Sequence, residues 1–177
     1  MRDVSDAFLL QMAEISGGLF GLFMVGMLFY VETGFRRLGP EREIVVPYFR
    51  ASTRIVLSLF AIPLGISLTL VVLEPVWSTV LFAFLSLVLI AANLDTAIRI
   101  QSVREVTGSV VLLVNEVVGT IGVVVIVVLP WVLGGLDPTR EDLTWAILVA
   151  FATAFLSLAT LLMSIFDLAP SRSSNRA

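Results

Sequence analysis

Polar residues in this chain are gathered into short islands between five long apolar runs, at roughly residues 7–31, 54–73, 77–98, 109–134 and 144–167. Each run holds about 20 residues or more, enough to carry an α-helix across a hydrocarbon layer roughly 30 Å thick. Lipid offers the backbone no hydrogen-bond partner, so such runs cross as helices. The pattern predicts an all-α fold, a polytopic membrane helical bundle of five transmembrane helices. Residues 1–168 form this single bundle, and 169–177 are expected to be a disordered tail.

The arginines thread it. The island between the first two runs, ETGFRRLGPEREIVVPYFRAST, carries Arg36, Arg37, Arg42 and Arg50, with Arg54 at the mouth of the second helix. Read as cytoplasmic, it places Arg99, Arg104, Arg172 and Arg176 on the same side and only Arg2 and Arg140 opposite, nine against two. The N-terminus is then outside and the C-terminus cytoplasmic. Trp77, Trp131 and Trp145 all fall at predicted outer ends, where an amphipathic ring suits the headgroup level. Leu38-Gly39-Pro40 marks a turn, and Pro47 is expected to open an interfacial lead into the second span. Pro63 and Pro130 lie inside spans and are expected to kink them. The start, MRDVSDAF, lacks the basic region of a cleaved signal peptide and is expected to stay with the first helix.

Small and hydroxyl residues mark packed faces in membrane helices, because they admit close backbone approach and interhelical hydrogen bonds. At helical period the first helix aligns Ala7, Gln11, Glu14, Gly18, Gly21 and Val25, with Gly17 beside them, and this stripe is expected to face the bundle interior. The second aligns Arg54, Ser58, Ala61, Gly65 and Thr69, and the third Thr79, Ser86, Asn93 and Ala97. The fourth offers Ser109, Glu116, Gly119 and Thr120, flanked by Asn115 and Gly122; the fifth offers Ala146, Thr153, Ser157, Thr160, Ser164 and Asp167. Gly17, Gly18, Gly21 and Gly119 are the candidate packing glycines, Gly17 and Gly21 having the GxxxG spacing.

Glu14 and Glu116 are the two carboxylates set deep in the apolar runs. At 1.5 Å per residue each lies roughly 10 Å from a surface, Glu14 from the outer and Glu116 from the inner. Intramembrane acids are functional candidates, since the charge is costly there. Staggered depths suit successive proton or cation sites better than an acid/base dyad. Near the inner side, Arg54, Asn93, Asn115 and Glu116 are expected to form a polar node. Asp95 and Arg99 are spaced for an i,i+4 ion pair on the opposite face from Asn93. Glu14, with Gln11 one turn away, has no basic partner at its own depth. It is therefore expected to be protonated or to meet a water-filled vestibule.

Composition narrows the chemistry further. The chain is 58% hydrophobic and 14% charged, with mean hydropathy +1.03. It contains neither cysteine nor histidine, which removes thiolate chemistry, disulfides, the commonest metal ligand and the usual general base. No metal site or cofactor is expected. All 11 basic residues are arginine and the net charge is −3, giving no basic face for nucleic acid and a composition typical of a GC-rich prokaryote. A multi-pass place in the prokaryotic plasma membrane is expected.

Three functional classes remain. The first is a non-enzymatic protein acting through helix contacts, as subunit, sensor or anchor, in a homo-oligomer or with another membrane protein. The second is a small channel or transporter moving a proton or small cation by way of Glu14 and Glu116. The third, an intramembrane enzyme, finds no nucleophile–base pair, HExxH or phosphate-binding loop to support it.

Overall fold

A computed structural model of the chain describes residues 4–34, 42–107 and 110–167. These form five helices: α1 Asp6–Gly34, α2 Arg42–Val72, α3 Pro75–Thr107, α4 Val110–Gly134 and α5 Arg140–Asp167. Each contains a stretch long and apolar enough to span a membrane, namely Asp6–Phe29, Arg50–Val72, Val76–Arg99, Glu116–Gly134 and Arg140–Thr160. The chain is a multi-pass helical membrane protein.

Local chemistry sets several helix ends. Ser5 precedes α1 and its Oγ accepts from the Phe8 amide at 3.3 Å. Pro75 opens α3, where a missing amide hydrogen costs nothing. Gly135, at φ +65°, ends α4 and its amide donates to the Trp131 carbonyl at 3.0 Å, a left-handed stop that glycine adopts without strain. Four residues later a capping box begins α5. Asp142 Oδ2 accepts from the Thr139 amide at 2.8 Å and from its hydroxyl at 2.7 Å.

Two helices run past the apolar segments that mark them. α2 begins at Arg42, so Pro47 lies inside the helix of the span and does not open a separate lead. α3 continues through the expected 99–108 connection as far as Thr107. Hydropathy marks the membrane's thickness, while a helix continues into water wherever its backbone bonds can. The Leu38-Gly39-Pro40 turn and the 169–177 tail lie outside the described residues.

The packing is a ring of four with a fifth helix outside it. α2 packs on α3, α3 on α4, α4 on α5 and α5 back on α2, while α1 packs chiefly on α2. Half of the α2 span is buried, against 17% of the α4 span, because α2 alone touches three neighbours extensively. Its inward residues, among them Val56, Leu59, Phe60, Ile62 and Ile66, are closely enclosed. Phe60 meets Phe151 of α5 edge-on, ring centroids 6.4 Å apart, and Phe82 of α3 lies 6.4 Å from Trp131 of α4. Successive helices alternate in direction, so the starts of α1, α3 and α5 share one end of the bundle. There Asp6 and Arg140 form an ion pair between α1 and α5.

Candidate functional site

Among the described residues, a small cavity with several polar groups in its wall lies between the four helices of the ring. Ser52, Ile55 and Val56 of α2, Asn93 of α3, Glu116 and Gly119 of α4 and Ser157 of α5 line a cavity of about 20 Å³. That is room for about one water molecule. Glu116 is 9% exposed, and its Oε1 has no hydrogen-bond partner among the described residues. A buried carboxylate in that state needs a proton, a cation or a hydrogen-bonded water to offset its lost hydration. Ser52, Asn93 and Ser157, all buried, supply the other polar groups around the cavity. Asn93 also meets Thr120 of α4, its amide nitrogen and oxygen each 3.4 Å from the Thr120 hydroxyl.

Part of the predicted node is assembled and part is not. Asn93 and Glu116 share the cavity. Arg54 does not reach it: the side chain is 61% exposed and pairs with Asp95, Nη1 to Oδ2 3.6 Å. Its place on α2 is on the flank facing α3, so the expected Arg54–Glu116 contact is replaced by one outside the ring. Arg99 and Asp95 form the i,i+4 pair at 2.8 Å, as their spacing implies. The Asn115 side chain lies outside the described residues, as do those of Ser109, Ser164 and Asp167.

The largest correction concerns α1. Ala7, Gln11, Glu14, Gly18, Gly21 and Val25 are all exposed, so the stripe expected to face inward faces away from the bundle. α1 buries instead its opposite side, through Leu9, Met12, Ala13, Ser16 and Phe23. Gly17, half-buried, is the packing glycine of this helix, and a Cβ there would lie 3.6 Å from Leu64 of α2. A Cβ at Gly18 or Gly21 would meet nothing within 4 Å. Since α1 is outside the ring, Glu14 and Glu116 share no cavity.

Two hydroxyls of the α5 stripe, Thr153 and Thr160, are satisfied within their own helix, as is Thr144 outside the stripe. Thr144, Thr153 and Thr160 donate to the carbonyls of Arg140, Val149 and Leu156, at 2.8, 2.8 and 3.0 Å. Ser157 remains as that helix's contribution to the cavity. Ser52 escaped sequence reasoning because it precedes the apolar run that begins at residue 54. Its i+4 spacing to Val56 would have revealed it once the helix was extended backward. Gly119, expected as a packing residue, lines the cavity, and a Cβ there would meet nothing within 4 Å. Among the described residues no three acidic side chains converge.

Comparison of the chain with protein-family models, curated proteins and solved structures finds no match. The class is therefore defined by the fold, a five-helix integral membrane bundle in which a closed ring of four carries a buried acid and an outer helix carries an exposed one.

Proposed function

We propose that the protein is a non-enzymatic membrane subunit that works by helix contact, and that the outward stripe of α1 is its contact surface. The observation that carries this reading is Glu14 standing beside Gly18 and Gly21 on a helix face that none of the described residues covers. An acid at that depth costs several kcal/mol against lipid, so a second protein surface is favoured over hydrocarbon. Positions 7, 11, 14, 18, 21 and 25 alternate steps of four and three, the 3.5-residue period of a left-handed helix pair. Glycines at 18 and 21 let two backbones approach. The occupant proposed is a second copy of the chain, in parallel. Across a twofold axis, Gln11 of each copy can donate its amide to the Glu14 carboxyl of the other, a self-complementary pairing that satisfies both polar groups. A prokaryotic plasma membrane, with the N-terminus outside, is the proposed setting.

The absence of native cysteine makes the test direct. Val25→Cys on this stripe should form a disulfide dimer under mild oxidation in the membrane, and Gly21→Leu in the same chain should suppress it. No dimer at Val25, or one indifferent to Gly21→Leu, rejects the second copy as occupant.

A second reading, movement of a proton or small cation, is favoured by one observation, the unpartnered Glu116 oxygen in its polar cavity. Glu14 has no part in that path, lying on the outside of α1. In liposomes the reading expects cation or proton flux that Glu116→Gln abolishes and Glu14→Gln leaves intact. A wild type without flux ends it.

A further inference from the structure

We infer that the groove between α2 and α3 binds one anionic phospholipid, its phosphodiester held by Arg54 and Arg99 and an acyl chain lying along the groove's apolar wall. The groove, of about 550 Å³, is lined by Arg54, Leu57, Val88, Ala91, Asp95 and Arg99 among others. Three features of different kinds agree.

The first is depth. The spans Arg50–Val72 and Val76–Arg99 run in opposite directions, so Arg54, near the start of one, and Arg99, at the end of the other, stand at the same membrane boundary. Headgroup phosphates lie at that level. From there the wall descends into the hydrocarbon. Leu57 is three residues further along α2, and Ala91 and Val88 are four and seven residues before Asp95 on α3, about 5–10 Å deeper at 1.5 Å per residue.

Charge is the second. Among the described residues that line the groove, two guanidinium groups share a single carboxylate, leaving a net charge of about +1. Zwitterionic headgroups do not offset that charge, whereas an anionic one does, and basic pockets between membrane helices are known to select anionic headgroups.

Donor geometry is the third. Asp95 takes Arg99 through Nε at 2.8 Å and approaches Arg54 through Nη1 at 3.6 Å. Among the described residues Arg99 thus keeps both of its Nη groups for another acceptor, and a guanidinium fork matches phosphate oxygens. Arg54 is 61% and Arg99 43% exposed, so both can be reached from outside the bundle. Asp95 is a positioning residue: one carboxylate draws the arginines of two helices together over the same opening.

The test is native mass spectrometry of the purified protein with phosphatidylglycerol and phosphatidylcholine of identical acyl chains. Wild type should retain phosphatidylglycerol preferentially. Arg54→Gln and Arg99→Gln should each lower that preference about fivefold, and the double variant more. Ala91→Phe fills the groove without touching the charges and should lower retention of the same lipid. Arg54→Lys keeps the charge and should retain most of the preference, which guards against a fold lost in the Gln variants. Equal retention of the two lipids by wild type overturns the inference, as does a double variant that behaves like wild type. Displacement of the lipid by inorganic phosphate at millimolar concentration also overturns it, by making the ligand a soluble anion.

Discussion

At Gly122 a single methyl group would lie 2.7 Å from Thr153 Cγ2 and 2.8 Å from its Oγ1. The Thr153 hydroxyl is held to the Val149 carbonyl at 2.8 Å, so it cannot simply rotate away without losing that bond. Gly122→Ala is accordingly expected to destabilise the α4–α5 contact by about 1–3 kcal/mol, the usual cost of overpacking. Thr153→Ala in the same chain should recover most of it, a coupling that detergent unfolding followed by circular dichroism can measure. At this scale the sequence was informative within a helix and silent between helices. The Asp95–Arg99 pair is legible because four residues bring two side chains together on any helix. Whether Arg54 meets Asp95 or Glu116 depends on how far α2 is rotated against α3, and no spacing within α2 contains that angle. The Glu116 cavity was half legible for the same reason: Asn93 and Glu116 announce themselves as polar residues in apolar runs, while Ser52 lies outside its run altogether.

Among the elements, α1 departs furthest from expectation. In a membrane the rule that small and polar residues mark a packed face says only that something packs there. It does not say that the partner belongs to the same chain. α1 satisfies its own chain with the leucine, methionine and phenylalanine side, and presents Gln11, Glu14, Gly18 and Gly21 outward. The disulfide trapping expected of Val25→Cys belongs to this scale, because it asks whether the whole face, and not one residue, is an interface. α2 shows the converse. Its small-residue flank, with Gly65 allowing Leu81 and Leu85 of α3 to come within 3.5 and 3.6 Å of a Cβ position, packs inside the chain.

For the molecule as a whole, helix number and approximate limits were readable, since apolar length is set by the bilayer and by little else. The division into a ring of four and an outrigger was not, because all five runs are apolar enough to span and span length carries no information about which helices pack together. Orientation in the membrane is a prediction of arginine placement, with the three tryptophans falling at the predicted outer ends. Arg37→Cys and Thr139→Cys, introduced singly, should label with a membrane-impermeant thiol reagent from opposite sides, the second from outside. Labelling of both from the same side would overturn the threading, and labelling of Arg37→Cys from outside would reverse it.

The ion pair between Asp6 and Arg140 adds a matter of timing. The partners are 134 positions apart in sequence. At a synthesis rate of about 5–20 residues per second, roughly 7–27 seconds pass between the emergence of one and of the other. α2, which ends at Val72, is complete only about midway through that interval, and until Arg140 follows the start of α1 lacks its ion-pair partner on α5. The clasp to α5 therefore closes only after the outward stripe of α1 is already in the membrane.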